Sequence, residues 1–203
     1  MRDQNTGNGT KRSSGQQKSA GDGRVTGRVA GGTPTIQTLE SRVLMTTSTA
    51  SLSAAADSYV RDGTYAARNL GGEVSIGVLK SGAGFNRQGY VKFDLTKVQG
   101  SVDKAVLRLY GRFTTTGTVA MPVAVQGVAD FSWGERTITW SNRPAAGEQL
   151  GTALFGTAYK WVDVDVTPYV ALAKAGGAAA VSFALAGAQT GPAQVLVNAK
   201  ESG

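Results

Sequence analysis

Neither cysteine nor histidine occurs anywhere in the 203 residues, and the two absences close off much chemistry. No Ser-His-Asp or Cys-His nucleophile can be assembled, no His/Cys zinc site can form, and no disulfide framework can staple the fold. The lack of cysteine is compatible with export, because a domain of this size can be held by its core alone. Proline is scarce, at 5 residues, against 28 glycines. That balance suits many short strands joined by tight turns, since glycine supplies the φ > 0 positions that turns need. No run of 18 apolar residues occurs, so no segment is expected to insert into a membrane. A recognisable signal peptide is lacking as well, Val43-Leu44-Met45 being too short an apolar stretch to serve as its hydrophobic region.

Hydrophobic residues make up 41% and aromatics 7% of the chain, enough for one real core. The net charge is +7. Residues 1–55 hold seven basic groups against three acidic ones, and residues 56–203 hold fourteen against eleven. The second part is therefore only mildly basic. Such a balance favours an acidic partner through long-range attraction, but lacks the clustered footprint of a nucleic-acid binder.

Residues 1–50 are expected to form a disordered basic leader, rich in Gly, Ser, Thr, Gln and Asn. No aromatic precedes Tyr59, so this leader has no platform on which bases could stack. From residue 55 to 203 the pattern predicts an all-β domain. Val74, Ile76 and Val78 alternate with polar or small neighbours, as do Val91, Phe93 and Leu95; Ala105, Leu107 and Leu109; Val162, Val164 and Val166; and Val181, Phe183 and Leu185. Each reads as a strand with one face on a core and the other, including Tyr90, Lys92, Arg108, Tyr110 and Trp161, toward solvent. Val119–Val128 and Val195–Val197 add further strands. One short helix is expected, capped by Thr167, with Pro168 at its first position and Gly176 at its end. Many short strands with turn signals between them indicate an antiparallel sandwich or barrel.

Carboxylates are the conventional acid/base groups that remain. Asp163 and Asp165 share one strand face, and paired carboxylates about 5–9 Å apart can hydrolyse glycosides. The same two, joined by Asp57 from the first strand, could instead hold calcium, with loops supplying further oxygens. The plainer reading is a solvated face. Trp133, Trp140 and Trp161 offer rings that could grip the apolar faces of sugars, or the first two could pack as lids over the sandwich. Arginines and lysines near the early strands and loops (Arg61, Arg68, Lys80, Arg87, Lys92) could share a sheet face and bind carboxylate or sulfate. No phosphate loop, nucleotide fingerprint or EF-hand spacing is present.

Ala56-Asp57-Ser58-Tyr59-Val60-Arg61-Asp62-Gly63, Asn69-Leu70-Gly71, and Arg87 through Tyr90-Val91-Lys92-Phe93-Asp94-Leu95 resemble the start of a DNRLRE-type domain, carbohydrate-binding module family 96. The resemblance continues through Ala105-Val106-Leu107-Arg108-Leu109-Tyr110, Trp133-Gly134-Glu135, and Ile138-Thr139-Trp140-Ser141-Asn142-Arg143-Pro144. It extends to Val162–Thr167, Ser182–Leu185 and Asn198-Ala199-Lys200-Glu201. It implies a jelly-roll β-sandwich that binds an acidic polysaccharide such as alginate, without catalysis. Arg61, Arg87, Lys92 and Lys200 stand at motif positions and are its implied ligand contacts, joined by Arg68, Lys80, Trp140 and Arg143. The family pattern continues past the Ala199-Lys200-Glu201 block, which implies that the last strand is missing. Leu39, Glu40, Arg42, Val43 and Leu44 also resemble the LEPR-XLL motif of planctomycete-like surface proteins, which implies secretion or tethering to a larger surface assembly. The competing reading is a structural or adhesive surface module with no affinity for sugar.

Overall fold

The computed structural model describes residues 48–115 and 120–202. The expected leader and its LEPR-XLL-like segment lie outside the described residues, apart from the last three positions, 48–50.

Among the described residues nine strands and one α-helix follow one another: β1 (Ala56–Arg61), β2 (Ser75–Val78), β3 (Arg87–Asp94), β4 (Val106–Phe113), β5 (Met121–Val128), β6 (Gln149–Phe155), β7 (Lys160–Asp165), α1 (Thr167–Ala175), β8 (Ala180–Gly187) and β9 (Val195–Asn198). They build two antiparallel sheets, one of order β1-β3-β8-β5-β6 and one of order β2-β9-β4-β7. Strands β2 to β9 thus trace the eight-stranded jelly roll, with β1 added at the edge beside β3. The expected strand at Val195–Val197 is β9, lying between β2 and β4.

The interior follows the alternation. Ile76, Val91, Leu107, Leu109, Val123, Val125, Phe155, Val164, Val181, Phe183, Leu185 and Val197 pack together as the main core. At roughly 1.5–3 kcal/mol per buried large apolar side chain, this layer dominates the stability of the sandwich. Strand β6 shows no alternation in the sequence, for a simple steric reason. Its inward positions are Gly151, Ala153 and Phe155, and a Cβ on Gly151 would lie 2.6 Å from Val164 Cγ1. Its outward Leu154 is exposed, so size and polarity run against the usual signal.

Alternation also misassigns the outer face of the five-stranded sheet. Tyr90, expected toward solvent, is fully buried, and it shares a second core with Ala56, Val60, Val128, Trp133, Ile138 and Ala184. The β5–β6 connection, residues 129–148, lies over that face. Trp133 Nε1 donates to Ser182 Oγ at 2.8 Å, its ring meets Tyr90 edge-on at 5.9 Å, and Tyr90 Oη donates to the Pro144 carbonyl at 2.9 Å. Asn69 ties down the same connection by donating to the carbonyls of Glu135 and Ile138 at 2.8 and 2.7 Å.

The helix begins one residue earlier than expected, with Val166 as its cap and Pro168 within its first turn. Asp165 Oδ1 takes the Thr167 N–H at 2.9 Å, while Thr167 Oγ1 is engaged with the Ala105 backbone and is not free to cap.

Candidate binding site

Strand pairing sets the geometry. In the β1–β3 ladder Arg61 stands directly opposite Arg87, which puts their Cα atoms about 5 Å apart. Two like charges so placed repel, and burial adds to the cost. Burial first, and the Arg61 charge second, pull the Arg87 guanidinium below the usual arginine range. The Nε atoms of both side chains are buried and find no partner among the described residues. Arg61 also rests its guanidinium over the Tyr65 ring at 4.0 Å. Arg68, exposed on the loop that follows, and Glu73 complete the charged surroundings of Tyr59. Burial lifts that phenol above its ordinary range, Glu73 adds to the rise, and Arg87, Arg61 and Arg68 oppose it.

A local clamp holds this end in place. The Asp62 carboxylate accepts from Gly84 N, Asn86 N and Asn86 Nδ2 at 3.0, 2.7 and 2.7 Å. It thereby straps the residue after Arg61 to the residue before Arg87. Partial burial pushes Asp62 upward, but these bonds outweigh it and hold the carboxyl below the usual range.

The arginine pair looks onto the four-stranded sheet at Gly77. A side chain there would be in contact with Arg87 Cδ, Gln194 Nε2 and Tyr59 Cε2, at 3.4, 3.6 and 3.6 Å. Gly77 pairs with Leu196, which in turn pairs with Arg112. One transverse row across the outer face therefore joins the pair to a third arginine. The Arg112 Nε is likewise buried without a partner among the described residues, and its guanidinium sits 5.1 Å from the Tyr159 ring. Beside it Tyr110 stacks on Tyr159 at 5.6 Å and meets Trp161 at 5.1 Å.

The remaining expected contacts go elsewhere. Lys92 donates to the carbonyls of Phe131 and Trp133, at 3.0 and 2.6 Å, and lies 4.7 Å from the Trp133 ring. It pins the β5–β6 connection on the opposite face. Lys200 Nζ is 3.0 Å from Glu135 and 2.6 Å from Glu201, so its charge is spent within the fold. Arg143 stacks on Trp140 at 3.6 Å and donates to the Trp140 carbonyl, and that tryptophan packs against the second core. Lys80 is exposed on the chain leaving β2, bridged to Thr190.

The expected calcium ligands are not brought together. Asp57 is buried on β1, where Oδ2 accepts the Lys200 N–H at 2.8 Å; burial, ahead of its charged neighbours, raises its pKa. Asp163 and Asp165 lie on β7 in the other sheet, where Asp163 pairs with Arg108 at 2.9 Å and Asp165 holds the start of α1. Among the described residues no group of three acidic side chains is placed to hold a metal ion.

Sequence reasoning named Arg61, Arg68 and Arg87 as candidates and did not single out Arg112, Tyr59, Tyr110 or Tyr159, which the structure places on the same or adjoining surface. The signal for two of them was present: Arg108, Tyr110 and Arg112 follow one another at period two on the outward face of β4. Only the β4–β7 and β4–β9 registers show that Trp161 and Leu196 lie beside them.

Comparison with known proteins agrees with this architecture. The profile of carbohydrate-binding module family 96 matches residues 48–203, and the chain belongs to that family. A gellan lyase from Bacillus sp. is 41% identical over 76 residues, which is 36% of this chain and 3% of the lyase. The chain thus spans a small fraction of that relative's length.

Proposed function

With membership of carbohydrate-binding module family 96 as the premise, we propose that this chain is a non-catalytic module that binds a uronate-bearing polysaccharide outside the cell. One observation carries the reading: three guanidinium groups, Arg61, Arg87 and Arg112, are drawn into one face with their Nε donors buried and unpartnered among the described residues. A buried donor without an acceptor costs about 1–3 kcal/mol, which holds these half-buried side chains in want of a counter-charge, and a carboxylate meeting the Nη ends of the guanidinium groups supplies it in a geometry that suits arginine. Like-charge crowding between Arg61 and Arg87 is relieved by the same ligand. Family membership supplies the polysaccharide, and the arginines supply the acidic preference. The lyase relative supports a role as the binding part of a larger polysaccharide-degrading or surface protein. Among the described residues no helix is long and apolar enough to cross a membrane. Calcium has no part in the proposal, since the acids that would hold it are scattered.

Affinity electrophoresis through gels carrying alginate, gellan or a neutral glucan tests this. Retardation is expected in the two acidic polymers, weakening as salt rises because ion pairs dominate, and unchanged by chelator. Migration of the folded protein at the same rate in all three gels would dispose of it.

A further inference from the structure

The outer face of the four-stranded sheet is not uniform in charge, and the difference falls along one line. Beside its β2 edge, at Gly77, lies Arg87 of the other sheet with Arg61 opposite it, and along the row from Gly77 comes Arg112; each has a buried Nε without a partner among the described residues. At the β7 end the charge is already cancelled. Arg108 Nε donates to Asp163 Oδ1 at 2.9 Å, and the same guanidinium lies 5.2 Å from the Trp161 ring. Trp161 and Tyr159 are 58% and 43% exposed, among the most exposed large hydrophobic residues of the fold. Tyr110 lies between them, stacked on Tyr159 and tilted by 48° against Trp161. The row from Gly77 on β2 to the β7 edge crosses three strand spacings, about 14 Å at ~4.8 Å each, which is longer than one sugar ring.

From this we propose that the site takes a heteropolysaccharide in which a uronate is followed by a run of uncharged sugars. The uronate carboxylate lies at Arg61 and Arg87, and a neutral ring packs against the exposed Trp161. The inference rests on the uronate reading above and adds the register of the ligand. A second carboxylate over Trp161 would meet a guanidinium already paired with Asp163, and would be desolvated against aromatic carbon without compensation. The apolar face of a neutral ring suffers no such loss and buries area on the stack. Arg112 bridges the two halves: its guanidinium lies near the Tyr159 ring, where it can bond the glycosidic or hydroxyl oxygens between them. An exposed tryptophan is also the residue type whose truncation most often dominates an interface.

The test uses the full chain and two probes of matched length, gellan oligosaccharides (uronates separated by neutral sugars) and oligogalacturonate (uronates throughout), titrated by calorimetry. The wild type is expected to prefer the gellan probe by roughly tenfold or more, the scale of one good aromatic contact. In Trp161→Ala that preference disappears, the oligogalacturonate affinity staying as it was. In Arg87→Gln both affinities fall together. Equal affinities in the wild type, or a preference untouched by Trp161→Ala, would overturn the register while leaving the uronate reading intact. Failure of the wild type to bind either probe would remove both. Sedimentation of the wild type and Trp161→Ala covers the remaining occupant of such a face: self-association abolished by the substitution, with sugar affinity unaltered, also overturns the proposal.

Discussion

Replacing Arg87 by methionine should make the protein more stable and abolish its ligand response. Arg87 faces Arg61 across the β1–β3 ladder, its Nε is buried without a partner among the described residues, and burial disfavours its charged form. Methionine keeps the length of the stem and its contact with Gly77 while deleting the guanidinium. Removing an unsatisfied donor returns about 1–3 kcal/mol, and ending a like-charge cross-strand pair returns about 0.2–1 kcal/mol more. The guanidinium is not fully enclosed, so the net gain is taken at the low end, about 1–2 kcal/mol. In a domain of this size each kcal/mol moves Tm by roughly 2–4 °C. Scanning calorimetry with and without uronate oligosaccharide reads both effects. The variant should melt higher than the wild type when free. Ligand at about a hundred times Kd should then stabilise the wild type by about 2.7 kcal/mol and the variant hardly at all. Arg61→Met should gain less, because its guanidinium stacks on Tyr65 and that contact contributes about 0.5–1 kcal/mol. A lower Tm in Arg87→Met, or an undiminished response to ligand, would refute the idea that the site is held strained for an anion. Such a trade of stability for binding is common where function needs exposed or unpaired groups.

Three other perturbations probe the parts that hold the site. Burial pushes the Tyr90 phenol up to about 12, while an unfolded tyrosine ionises near 10. The folded state therefore keeps a proton that the unfolded state releases, and stability should drop as pH rises from about 10 to 12; Tyr90→Phe should flatten that part of a denaturation-versus-pH curve. Asp62 is shifted the other way by its clamp, so its contribution is lost as pH falls through the carboxylate range. The acid limb of Tm against pH should be shallower in Asp62→Asn. Gly71→Ala would place a Cβ 2.0 Å from the Glu135 carbonyl oxygen, forcing apart the segments that Asn69 joins. A loss of about 3 kcal/mol or more is expected in urea unfolding, and a loss below about 1 kcal/mol would show that the β5–β6 connection is not rigidly seated.

The sequence by itself determined the fold class and most of the inner layer. Period-two runs such as Leu107/Leu109 and Val181/Phe183/Leu185 can be buried on one side only if they are strands, and in the structure these residues lie in the core. The ordered blocks of the family resemblance placed Arg61 and Arg87 among the binding candidates. Three things were decided only by tertiary structure. Which face of β3 is wet depends on a distant segment: Tyr90 is buried because residues 129–148 fold across it, a contact that no local pattern encodes. The fate of each cation depends on neighbours far along the chain: Lys92 and Lys200 are consumed by Trp133 and Glu135, whereas the Nε donors of Arg61, Arg87 and Arg112 find no partner among the described residues. Finally, the proposed binding face is a matter of register. Arg112, Leu196 and Gly77 come from three strands more than a hundred residues apart at the extremes, and a slip of one residue in any ladder would turn its side chain to the other face.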